Sequence, residues 1–111
     1  MTRELCIEYF KAFVEKDLSA LSDMFSDSVA LKDWEVDVSG KEAVLAANKD
    51  IFQSIDDLRV EVSRIRESGV ISVCEIKIFA DNNEFLVTDV IGFNSDNKIE
   101  FIRALQGWYN L

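Results

Sequence analysis

A chain of 111 residues, 49% of them apolar and 11% aromatic, has enough surface to bury for one hydrophobic core and no room for a second, which excludes disorder and a two-domain organisation. Twelve basic against twenty-one acidic residues give a net charge of −9, a balance repelled by phosphate backbones and by anionic lipid surfaces. Nucleic acid and membrane are therefore not expected partners, and the scattered acidic residues read as a solubilising surface.

The absence of histidine removes the commonest general base and the commonest zinc ligand, so acid–base chemistry must rest on carboxylates, tyrosine or lysine. Cys6 and Cys74 have no metal-ligand spacing and read as reduced core residues, leaving no metal site to expect. The start, Met1-Thr2-Arg3-Glu4-Leu5-Cys6, has neither the basic opening nor the apolar run of a secretory signal. No segment reaches the length of a membrane span, so a cytoplasmic location is expected.

Residues Thr2 to Lys16 place Leu5, Cys6, Tyr9, Phe10, Phe13 and Val14 at helical spacing. Asp17 is positioned to cap a short second helix with Leu18, Leu21, Met24 and Phe25 on one face, ending before Ser26-Asp27-Ser28. Val29 to Trp34 reads as a strand ending near Asp33, followed by an acidic loop. Ser39-Gly40-Lys41-Glu42 then has the serine–glutamate spacing of a capping box, opening a third helix to about Ile55. Beyond Asp56-Asp57 the period changes to four strands, Leu58 to Glu67, Val70 to Ala80, Glu84 to Asn94 and Lys98 to Tyr109. Their short connections predict an antiparallel meander. Helices first and strands afterwards is an α+β pattern, with the helices on one face of a curved, mainly antiparallel sheet that encloses a pocket.

One residue breaks the pattern. Alternation along the third meander strand puts Asp89 on the same face as Phe85, Val87, Ile91 and Phe93. An ionised carboxylate there must either find a cationic partner on a neighbouring strand or stay protonated and donate a hydrogen bond. Tyr9, on the apolar stripe of the first helix, and Asp33, where the chain leaves the first strand, are further candidates. Taken alone, a tyrosine on such a stripe is a packing residue and an aspartate at a strand end is a turn residue.

Together these positions resemble the ketosteroid isomerases of the SnoaL-like, nuclear-transport-factor-type superfamily, over essentially all of residues 1–111 as a single domain. The likeness rests on Tyr9 followed by Asp17-Leu18, on Asp33, and on Ser39-Gly40. It is closest in Asp89-Val90-Ile91-Gly92-Phe93-Asn94, Lys98 and Arg103-Ala104-Leu105-Gln106-Gly107. The resemblance implies a cone-shaped fold, a catalytic base at Asp33, an oxyanion-hole phenol at Tyr9 and a protonated oxyanion-hole acid at Asp89, a pairing established for such isomerases. It implies a small apolar ligand, no cofactor, and a homodimer through a sheet face expected to carry Ile102, Ala104 and Trp108. Trp34, Phe52, Phe79 and Phe101 are candidates to line the pocket. The loop Trp34-Glu35-Val36-Asp37-Val38 departs from the family in its length, its lack of proline and its two extra carboxylates, which makes Asp37 the alternative base. A non-catalytic ligand-binding or dimerisation module is the competing expectation.

Overall fold

The computed structural model describes residues 2–108. Three helices, α1 (Thr2–Val14), α2 (Leu18–Met24) and α3 (Lys41–Ser54), pack on a six-stranded sheet. Its strands are β1 (Phe25–Lys32), β2 (Asp37–Ser39), β3 (Leu58–Ser68), β4 (Ile71–Ala80), β5 (Asn83–Phe93) and β6 (Ile99–Gln106), in the order β2-β1-β6-β5-β4-β3. Among the described residues the β1–β6 pairing is parallel and the others are antiparallel. The expected α+β architecture is the one observed.

The stripe on α1 buries Cys6, Tyr9 and Phe10. The start of this helix is tied to the sheet where Ser72 Oγ donates to Thr2 Oγ1 at 2.7 Å and Arg3 Nη2 donates to the Ile65 carbonyl at 2.8 Å. Asp17 caps α2 as its sequence position suggests, its Oδ1 accepting from the Ala20 amide at 3.0 Å. Phe25 is the first residue of β1 rather than the last of α2, and the Ser26-Asp27-Ser28 segment belongs to the strand. Both periods turn Phe25 inward, so its burial could not separate them.

Two local expectations are corrected. Ser39 does not cap α3: it pairs with Ala30 as the end of β2, and Gly40 takes the cap position with φ +93°, a left-handed value that glycine adopts without strain. The acidic loop contains β2, a three-residue strand that opens on Asp37, a residue disfavoured in strands, and is held by pairing with β1. The last predicted strand ends at Gln106; Tyr109 lies outside the described residues.

Irregularities in register between β1 and β6, β3 and β4, and β5 and β6 bend the sheet around the helices. At the last of these, a Cβ on Gly92 would sit only 2.1 Å from the Phe101 ring. Glycine is therefore what lets Phe101 lie flat against β5. The core between the helices and the concave sheet face includes Leu21, Phe25, Val29, Val44, Ile76, Val87, Ile91 and Ile99, all essentially solvent-free.

Candidate functional site

Between α1, α3 and the concave face lies a cavity of about 450 Å³ whose wall includes Tyr9, Asp33, Trp34 and Asp89. Its floor follows from strand register. Asp89 stands opposite Cys74 on β4 and Ala104 on β6, and directly opposed residues share a face. Two small side chains beside the carboxyl leave space that larger ones would have filled.

The same register corrects the expected outer face. Ile102 and Ala104 lie opposite Ile91 and Asp89 and line the cavity. The outward residues of β6 are Phe101, Arg103 and Leu105. Phe101 lies outside the cavity because it opposes Gly92 on the far side of the sheet, under the Arg103 guanidinium at 5.0 Å. Phe79 likewise faces outward, with Arg59 4.7 Å over its ring. Phe52 is buried in α3 but stands behind the cavity wall, its ring edge-on to that of Phe13 at 5.3 Å. Of the four aromatic residues expected to line the pocket, Trp34 does so, at its rim and 46% exposed.

Asp33 is fixed by its own turn. Its Oδ1 accepts from the amides of Glu35 and Val36 at 2.7 and 2.6 Å, and its amide donates to the Val36 carbonyl at 2.8 Å. This geometry holds the carboxylate at the cavity rim and leaves its second oxygen outside the turn bonds. Asp37 is exposed in β2, paired with Lys32, and does not line the cavity. Four further polar residues that the sequence did not single out also line it: Glu35, Asn48, Ser54 and Gln106. Asn48 was visible as the one amide on the apolar face of α3, where it is buried with its Nδ2 donating to the Val44 carbonyl at 3.0 Å.

Asp89 is 7% exposed and Tyr9 5%. Among the described residues neither the Asp89 carboxyl nor the Tyr9 hydroxyl has a hydrogen-bond partner, and neither is sealed from the cavity. Burial, and secondarily the charge of Asp33, pushes the Asp89 carboxyl up to about 7. Burial, then the negative charge of Asp89, holds the Tyr9 phenol well above its ordinary value. The cavity thus presents a phenol that stays protonated, an acid that is neutral over much of the range below pH 7, and a carboxylate at the rim. Cys6 and Cys74 lie behind this group as free thiols, with Cys74 pushed up by its contact with Cys6 and by burial.

Residues 7–101 match the model of the SnoaL-like domain. The chain belongs to the SnoaL-like family. No curated protein matches its sequence. The fold of this SnoaL-like domain is similar to that of a SnoaL-like protein of unknown function from Burkholderia thailandensis, at TM-score 0.84 and 18% identity over 96% of this chain and 93% of that one. A candidate ketosteroid isomerase from Kribbella flavida aligns at TM-score 0.82 and 13% identity over 99% and 80%. A LEH-like epoxide hydrolase from M. tuberculosis aligns at 0.78 and 15% over 92% and 79%. At such identities the likeness establishes the nuclear-transport-factor-type fold and not a shared reaction.

The Asp89 environment has a sign that stability measurements can read. A carboxyl near 7 in the folded chain and at its ordinary value of 3.8 in the unfolded chain binds more protons when folded. Its contribution is full below the unfolded value and is lost as pH rises through the folded one, with a slope of at most about 1.4 kcal/mol per pH unit. Urea denaturation between pH 4 and 8 is expected to show Asp89→Asn gaining stability relative to the parent as pH rises. A pH-independent difference between the two proteins would count against a buried, protonated Asp89.

Proposed function

We propose that this SnoaL-like domain is a ketosteroid isomerase-like enzyme that moves a proton next to the carbonyl of a small apolar ketone. The observation that carries this reading is the meeting of Tyr9, Asp33 and Asp89 in one apolar cavity, with the hydroxyl and the buried carboxyl unpartnered among the described residues. A ketone oxygen placed between Tyr9 and neutral Asp89 receives two hydrogen bonds, while the adjacent carbon points to Asp33 at the rim.

The step balances within these residues. The Asp33 carboxylate removes a proton from the carbon beside the carbonyl; the C–H electron pair moves into a dienolate whose oxygen is held by Tyr9 and Asp89. The new Asp33 carboxylic acid then returns the proton to the γ-carbon, shifting the double bond without a cofactor or net redox change. The two donors matter more in the transition state, where oxygen charge has grown, than in the bound ketone.

A second reading, a non-catalytic ligand-binding or dimerisation module, draws on the outer face of the sheet. There a groove of about 510 Å³ is lined by Val73, Thr88, Leu105 and Trp108 among others, and Leu105 is 63% exposed. A homodimer covering this groove is part of the proposal under either reading.

Two experiments bear on these readings. Turnover of a β,γ-unsaturated steroid ketone is expected to fall by roughly 10²- to 10⁴-fold in Asp33→Asn. In the parent it should also decline as pH rises through about 7, as Asp89 loses its donor proton; Asp89→Asn, which keeps an N–H donor, should lack that decline. No turnover by a folded parent protein would exclude the steroid isomerase. For the interface, sedimentation is expected to give a dimer at micromolar concentration and a monomer for Leu105→Glu, whereas a monomeric parent would rule the dimer out.

A further inference from the structure

The described cavity lining contains three carboxylates, Asp33, Glu35 and Asp89, and no lysine or arginine. An anionic ligand would meet only like charge there. The charge of Asp33 already disfavours ionisation of Asp89 across the cavity, a repulsion that a positive charge between them relieves. Asp89 is buried, aimed into the space and without a hydrogen-bond or cationic partner among the described residues. The aromatic side chains of Tyr9, Phe13, Trp34 and Phe85 share the wall, and aromatic faces attract organic cations.

We propose that this cavity binds hydrophobic organic cations, protonated or quaternary amines, with the charged nitrogen seated between Asp33 and Asp89 and the apolar body against the aromatic wall. The inference rests on the same placement of Asp33 and Asp89 as the isomerase reading, but it is a binding property and requires no turnover. It also separates two ligand classes by pH. A ketone needs Asp89 protonated as a donor; a cation needs it ionised.

The groups facing Asp89 decide the sign of that dependence. Asp33 approaches from the end of β1, Tyr9 and Cys6 from α1, and Cys74 from β4. Strand β6 presents Ala104 in register, and α3 contributes the uncharged Asn48 to the lining. No described cation faces the carboxyl, so a bound ammonium becomes its only positive neighbour and favours its ionised form. Cation binding then releases a proton when Asp89 starts protonated.

Calorimetric titration with benzyltrimethylammonium, whose charge is independent of pH, tests this against its uncharged carbon isostere neopentylbenzene. The expected result is affinity for the cation that tightens about tenfold between pH 6 and pH 8, as one proton is released from a carboxyl near 7. At pH 8 the cation should bind at least tenfold more tightly than the isostere, and Asp89→Asn should abolish the pH dependence. If that variant does not fold, Asp33→Asn, which keeps the turn-capping oxygen, should weaken the cation at least tenfold more than neopentylbenzene. Equal affinity for cation and isostere, or cation affinity flat across this pH range, would overturn the proposal. Because these readouts need no reaction, absent turnover with intact cation binding would sink only the isomerase reading. Turnover without cation binding would sink only this one.

Discussion

An aspartate side chain turned into an apolar sheet face is the constraint around which the rest of this domain is arranged. Transferring an ionised carboxylate from water to such a site costs several kcal/mol without a partner, and Asp89 has no cationic one among the described residues. The chain meets this cost by letting the group keep its proton, and by leaving open space where a larger neighbour on β4 or β6 would have packed. The buried phenol of Tyr9 nearby accepts the same bargain: it keeps its proton and faces the cavity. Both side chains are then held ready to donate, with no bond to another described residue to break first.

The backbone makes this arrangement possible at one joint. The Gly92–Phe93 irregularity in the β5–β6 pairing bends the sheet, and Gly92 admits the Phe101 ring against the opposite side. That packing sends Phe101 outward and Ile102 and Ala104 inward. The helices close the concave side, with α1 anchored through Thr2 and Arg3 so that Tyr9, two turns further on, reaches the cavity. Asp33 is positioned by a different device, a turn whose amides its own side chain accepts. Three separate parts of the chain thus supply the three polar groups. Relatives of the same fold carry names as different as isomerase and epoxide hydrolase, which is why the chemistry must be argued from these groups.

Much of this was legible in the sequence wherever the signal was local. The stripe on α1, the Asp17 cap and the meander follow from residue periodicity and turn chemistry, and alternation alone put Asp89 among apolar neighbours. What was not legible depends on partners far along the chain. Strand β2 exists because β1 pairs with it, and that pairing draws Ser39 out of the capping box its spacing suggests. The facing of Phe79 and Phe101 depends on strand register, and that of Ile102 and Ala104 on the β5–β6 register, none of which is contained in a single strand. Which of Asp33 and Asp37 reaches the cavity depends on a loop geometry for which the sequence offered two carboxylates and no discriminating residue.

The central claim is that Asp89 is a neutral, cavity-facing acid in the ligand-free protein. Carboxyl-selective ¹³C NMR of the aspartates across pH 4 to 9, with Asp89 assigned by its loss in Asp89→Asn, measures this directly. Asp89 is expected to be protonated at pH 5 and to titrate with a midpoint near 7. An Asp89 already ionised at pH 5 would contradict it.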